Sequence, residues 1–127
     1  MADKNPVILA VDDNKINLLL IKEWLCNEFQ VITRRSVQTA LDYLQTHSRP
    51  DLILSDLWMP GQGGLDLIRQ VNNRFNLPVI VVSGICEESH INQAFDAGAM
   101  DYVCKPFNLH VLRNKVLVAL DHLKYEH

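Results

Sequence analysis

Asp12, Asp13, Asp56, Ser83 and Lys105 each stand at the downstream end of a short apolar run, and together they offer three carboxylates, a hydroxyl and an ammonium. Carboxylates gathered within a few ångströms repel one another, so a partly desolvated cleft holding them either raises a pKa sharply or requires a cation. A divalent ion is the simpler answer. Oxygen-only donors with room left for water suit Mg²⁺, whose open positions meet phosphate oxygens. With Asp56 as a carboxylate nucleophile, and Lys105 and Ser83 facing the equatorial oxygens, the set suffices for phosphoryl transfer to an acyl phosphate. The chain has no Gly-x-x-x-x-Gly-Lys-Ser/Thr loop, so ATP is not the expected direct donor. Each residue alone has a plain reading: Asp12 and Asp13 as helix caps, Asp56 as a turn residue, Ser83 as structural, Lys105 as a solvated strand end. Their joint placement favours a site.

Bringing these residues together is a task for the elements between them. Val7 to Val11 is a continuous apolar run of strand length, the pattern of a strand covered on both faces. Asn14 can cap a helix from Lys15 in which Ile16, Leu19, Leu20 and Trp24 fall near one face, and a short strand follows around Phe29 to Thr33. Ser36 opens a second helix with Val37, Ala40, Leu41 and Leu44 at buried-stripe spacing. Asp51 to Asp56 reads as a strand running into a loop rich in Pro and Gly, and a helix is expected from about Leu65 to Phe75. Pro78 to Ser83 is the next buried strand. Ile91, Ala94, Phe95 and Gly98 mark a helix closing on glycine, Asp101 to Cys104 a short strand, and Asn108 the cap of a last helix carrying Val116, Ala119, Leu120 and Leu123. Five strands alternating with five helices predict a doubly wound α/β fold with a parallel sheet, in which ligands bind beyond the carboxyl ends of the strands.

The 127 residues suit one domain, and 48% hydrophobic residues suit a packed core. A net charge of −3 gives no long-range positive field to hold nucleic acid or an anionic membrane, so neither is an expected partner. No apolar stretch is long enough to span a bilayer and the start has no apolar signal core, so a cytoplasmic location is expected. Cys26, Cys86 and Cys104 lie among apolar neighbours without a Cys-x-x-Cys spacing and are expected to be buried reduced thiols rather than a disulfide or zinc site. The five histidines lack metal-ligand spacing and are expected at the surface.

The segments Ile8 to Asn14, Leu54 to Gly61, Pro78 to Gly84 and Gly98 to Phe107 resemble the receiver domain of two-component response regulators, over essentially the whole chain. The resemblance implies a single domain over residues 1–127 with the flavodoxin-like strand order 2-1-3-4-5. It implies Mg²⁺ held by Asp13 and Asp56, with Asp12 assisting and the backbone carbonyl of Trp58 as a further ligand. Asp56 would receive its phosphoryl group from the phosphohistidine of a sensor histidine kinase or histidine phosphotransfer protein, with Ser83 and Lys105 contacting that group. A rotamer change of Tyr102, coupled to movement of Ser83, would alter the face formed by helix four, strand five and helix five and so control a partner or attached output domain. A cis Lys105–Pro106 bond is implied as well. Such a protein is a switch rather than a dedicated enzyme, although it supplies groups to its own phosphorylation and dephosphorylation.

There are departures from the common pattern. Trp58 and Ile85 are apolar where many relatives are smaller or polar, and are expected to shield the acyl phosphate from water. Ser83 replaces the commoner Thr, Gly84 the commoner Ala, and Gly63-Gly64 a more usual acid-glycine pair. An unphosphorylated interaction module built on the same frame is the alternative reading, disfavoured by the presence of Asp13, Asp56, Ser83 and Lys105. A phosphatase acting on free metabolites is disfavoured because Trp58 stands where a general acid would be needed. The cognate kinase, the output and a phosphorylation-dependent dimer stay open.

Overall fold

Five apolar runs form the strands β1 (Val7–Val11), β2 (Gln30–Arg34), β3 (Leu52–Ser55), β4 (Val79–Ser83) and β5 (Asp101–Cys104), and helices α1 (Lys15–Leu25), α2 (Val37–Thr46), α3 (Gly64–Gln70), α4 (Glu88–Ala97) and α5 (Leu109–Lys124) join and follow them. The computed structural model describes residues 5–57, 59, 61 and 63–124, with side chains to residue 121. All strand pairs are parallel in the order β2-β1-β3-β4-β5, which is the flavodoxin-like doubly wound arrangement expected. The order reverses between β1 and β3, so their carboxyl ends flank the crevice where such sheets bind ligands.

Alternation along each strand divides the interior into two cores. Leu9, Val11, Ile53, Val79, Val81 and Tyr102 face α2, α3 and α4, where Ala40, Leu44, Leu67, Ile68 and Ala94 close over them. On the other face Ile8, Ala10, Leu54, Ile80, Val82 and Val103 meet Leu18, Ile21 and Leu25 of α1 and Leu112, Val116 and Ala119 of α5.

The caps follow local chemistry. Asn14 Oδ1 accepts from the amides of Ile16 and Asn17 at 2.9 and 3.2 Å, Ser36 Oγ from Thr39 at 3.1 Å, and Asn108 Oδ1 from His110 at 2.7 Å.

Three helices depart from expectation. In α1 the residues Ile16, Leu19, Leu20 and Trp24 are exposed, and the buried stripe is Leu18, Ile21 and Leu25. This helix is apolar on two sides, so periodicity alone could not choose between them. In α4 Ala94 and Ala97 are buried while Phe95 faces solvent. The regular part of α3 ends at Gln70 and widens into a π-helical turn over Val71–Phe75, stopped by Asn76 in the left-handed region (φ 52°). Arg49 Nη1 donates to the Phe75 carbonyl at 2.9 Å, satisfying a group that a helix end leaves open.

Gly98 ends α4 at φ 117°, a conformation that penalises any Cβ, and an added Cβ there would lie 2.0 Å from Asn72 Nδ2, the atom that donates to the Gly98 carbonyl at 2.9 Å. Gly98→Ala is therefore expected to lower stability by about 1–3 kcal/mol, read as a lower urea midpoint at unchanged slope.

Candidate functional site

Because every strand is parallel, Asp12, Asp56, Ser83 and Lys105 emerge side by side at one end of the sheet. Backbone hydrogen bonds carry the ladder one residue past each strand. The Asp12 amide donates to the Arg34 carbonyl at 3.2 Å, Asp56 to Val11 at 2.9 Å and Lys105 to Ser83 at 2.7 Å. Side chains at the sheet end are thus fixed by backbone rather than by a mobile loop.

Asp12 is only 3% exposed and its carboxylate is surrounded by donors. Oδ1 accepts from the Asn14 amide at 2.9 Å, and Oδ2 from Asn17 Nδ2 at 3.3 Å and from Lys105 Nζ at 2.8 Å. Lys105 Nζ also donates to Asp56 Oδ2 at 3.3 Å. One oxygen from each of Asp12, Asp13 and the half-buried Asp56 lies within 4.8 Å of the others. Burial by itself pulls the Lys105 ammonium down, but the hydrogen bond and charge of Asp12, and then those of Asp56, outweigh it and leave its pKa above the ordinary lysine value. It is a fixed cation at neutral pH.

Lys105 pairs with Asp12 and Asp56, and Asp13 adds a third carboxylate to the cluster, so it remains electron-rich even with Lys105 in place. Its donors are all hard oxygens, two on adjacent residues of one strand end and one across the switch point, and this set fits a small divalent cation better than a softer metal. Mg²⁺ fits this donor set, which Asp12, Asp13 and Asp56 would supply.

Ser83 is buried at the end of β4, its Oγ accepting from the Ile85 amide at 3.1 Å. Tyr102 is buried on β5, its hydroxyl donating to the Ile85 carbonyl, while Val103 packs into the opposite core. The Tyr102 ring is thus already inside. The Lys105–Pro106 bond is cis, as expected. Trp58, expected to supply a carbonyl ligand and part of an apolar shield, lies outside the described residues. Sequence reasoning missed Asn17, which holds the Asp12 carboxylate from the first turn of α1, and Ser55, whose Oγ donates to the Asp56 carbonyl at 3.0 Å. An amide side chain one helical turn after the cap was the available signal for Asn17.

The cysteine expectation is corrected. Cys86 and Cys104 form a disulfide with Cα atoms 5.8 Å apart, and Cys26 is exposed rather than buried. The register pairing of Ser83 with Cys104 sets the end of β5 beside the β4–α4 loop that carries Cys86. Nothing in the spacing of three cysteines announces that juxtaposition.

The family profile described as "Response regulator receiver domain" matches residues 8–117. The chain belongs to this family. It is 36% identical to the transcriptional regulatory protein KdpE of Staphylococcus aureus over 115 residues, 91% of this chain and 49% of that protein. It is 31% identical to the two-component response regulator ORR5 of Oryza sativa over 105 residues, 80% of this chain and 78% of that one. The chain thus spans about half the length of KdpE and a smaller share of some other curated relatives. Among solved structures, the CheY-like receiver domain from Methanospirillum hungatei superposes with a TM-score of 0.90 at 25% identity, covering 98% of this chain and 100% of that one. The "BeF3 Activated DrrB Receiver Domain" superposes at 0.82 with 28% identity, over 92% and 98% of the two chains. Receiver domains are phosphoacceptor switches of two-component systems, not dedicated enzymes.

The charge imbalance has a measurable consequence. In chelator, Asp13→Asn removes one of three mutually repelling carboxylates and is expected to raise stability by roughly 0.5–1 kcal/mol, a Coulomb term discounted for the exposure of Asp13. Urea denaturation of the two proteins measures it, and an unchanged or lower midpoint would contradict the repulsion.

Proposed function

We propose that residues 1–127 act as one cytoplasmic receiver domain in which Asp56 accepts a phosphoryl group from the phosphohistidine of a sensor histidine kinase or histidine phosphotransfer protein. The observation that carries this reading is Lys105 Nζ held 3.3 Å from Asp56 Oδ2 and 2.8 Å from Asp12 Oδ2 beside a shared carboxylate cluster. Asp13 and Asp56, with Asp12 assisting and the Trp58 backbone carbonyl, would hold Mg²⁺. Bound there, the ion offsets carboxylate charge and meets phosphoryl oxygens. An Asp56 oxygen attacks phosphorus in line, the P–N bond to the donor imidazole breaks, and the electron pair leaves on that nitrogen, which takes a proton from solvent. The Lys105 ammonium donates to one phosphoryl oxygen. Ser83 turns its hydroxyl from the Ile85 amide towards another, and Ile85 limits access of water.

Movement of Ser83 disturbs Ile85, and through the Ile85 carbonyl it reaches Tyr102. The readout face is α4, β5 and α5, where Phe95, Met100, Val111 and Val118 are exposed apolar side chains suited to an output domain, a partner or a second copy. The donor approaches from α1. Leu20 and Trp24 of α1 line an apolar cleft of about 340 Å³ together with Lys105, Pro106 and Phe107, and Ile16 and Leu19 are exposed on the same helix, which suits a helix bearing the phosphohistidine.

Incubation with Mg²⁺ and acetyl phosphate is expected to give a single phosphoryl adduct by intact mass, lost in Asp56→Asn and in chelator. Lys105→Met is expected to slow adduct formation by roughly 10²-fold, as for loss of one charge-stabilising donor. Absence of an adduct together with absence of Mg²⁺ binding would favour an unphosphorylated interaction module instead.

A further inference from the structure

The segment linking β4 to α4 is tied to the end of β5 at three successive points. The Lys105 amide donates to the Ser83 carbonyl at 2.7 Å, the Tyr102 hydroxyl donates to the Ile85 carbonyl, and Cys86 is bonded to Cys104. Two of these tethers are hydrogen bonds, which can break and re-form as the loop shifts. The third is covalent. It sits three residues after Ser83 and immediately before Lys105, the two residues assigned to the phosphoryl oxygens, and both of its cysteines are exposed to solvent. Exposure leaves the bond open to attack by small thiols, whereas a buried structural disulfide is shielded from them. In a reducing compartment an accessible disulfide is a transient, regulatory feature rather than a permanent brace.

We propose that Cys86 and Cys104 form a reversible thiol–disulfide site that sets how readily the domain adopts its phosphorylated conformation. The inference rests on the phosphoacceptor reading of Asp56. Oxidation needs a low-molecular-weight disulfide such as oxidised glutathione. One cysteine thiolate attacks a glutathione sulfur and expels a glutathione thiolate. The second cysteine attacks the mixed disulfide and expels the other. Two protein thiols are oxidised, one glutathione disulfide is reduced to two thiols, and the two cysteine protons pass to the departing glutathiones. With the bond closed, the Cys86 backbone is held against the β5 end, and the loop shift that turns Ser83 towards the phosphoryl group is opposed. With the bond open, only hydrogen bonds oppose it. Linkage makes the effect reciprocal, so a bound phosphoryl group must favour the dithiol by the same factor that oxidation weakens its binding.

The test uses Cys26→Ala protein, so that only the pair is titrated, equilibrated in defined mixtures of reduced and oxidised glutathione and read by alkylation and intact mass. Beryllofluoride with Mg²⁺ is the reversible phosphoryl mimic. The oxidised protein is expected to bind it roughly tenfold more weakly than the reduced protein, a coupling typical between linked sites. Beryllofluoride should then shift the thiol–disulfide equilibrium by about the same factor towards the dithiol, and should not shift it in Asp56→Asn. Cys86→Ser should bind the mimic with no dependence on the glutathione ratio. Equal affinity in the two redox states overturns the proposal while leaving the phosphoacceptor reading intact. A mixed glutathione disulfide accumulating in place of the Cys86–Cys104 bond, or two free thiols at every ratio, overturns it also. If the reduced protein neither binds the mimic nor takes a phosphoryl group from acetyl phosphate, the phosphoacceptor reading falls and this inference with it.

Discussion

The structure turns on one contact, the Lys105 ammonium seated between Asp12 and Asp56. Neither partner could stand there comfortably without the other. A lysine this far from water is costly unless carboxylates face it, and carboxylates this close to one another are costly unless a cation faces them. The mutual compensation is incomplete, because a third acid, Asp13, lies in the same cluster. The residual negative charge suits the crevice to a divalent ion, and the raised Lys105 pKa keeps the ammonium charged at neutral pH. Lys105 and the acids meet across long sequence separation, 93 residues for Asp12 and 49 for Asp56, so the arrangement exists only when the whole sheet is assembled.

That dependence explains the shape of the cores. A site built from strand ends is only as well defined as the register of the strands. Register here is held by two separate apolar layers, one under α2, α3 and α4 and the other under α1 and α5. A slip of one residue in any strand would exchange its two sets of side chains between those layers. It would also move the terminal polar residue out of the crevice. Packing and site geometry are therefore enforced by the same pairing.

The sequence revealed most of this because the relevant signals are local. Apolar runs ending in Asp, Ser or Lys mark both the strands and the site, and Asn14, Ser36 and Asn108 announce helix starts through their own hydrogen bonds. What periodicity could not decide was which apolar stripe of α1 turns inward, since Ile16, Leu19, Leu20 and Trp24 repeat as regularly as Leu18, Ile21 and Leu25. The π-helical turn after Gln70 was hidden for a related reason, because it keeps the apolar residues Val71 and Phe75 in positions a regular helix would also bury. The Cys86–Cys104 bond was illegible in principle. It depends on the Ser83–Cys104 register across β4 and β5, a tertiary fact with no trace in the spacing of the cysteines.

The residues around Ile85 show why a change of a few ångströms at Asp56 need not dissipate. Ile85 gives its amide to Ser83 and its carbonyl to Tyr102, so one peptide segment connects the group that must turn towards the phosphate with the ring that lies in the α4 core. Both partners are buried, and a buried polar group that loses one hydrogen bond must find another. In the proposed phosphorylated state the Ser83 hydroxyl would find its replacement on the phosphoryl oxygens. The Ile85 amide and the Tyr102 hydroxyl would then find theirs by repacking. Because Tyr102 and Val103 point into opposite cores, a repacking of Tyr102 starts in the core under α2, α3 and α4 and not in the core shared by α1 and α5. In the proposed switch, strand alternation thus sets the first step of the output in the core opposite the one beneath α1.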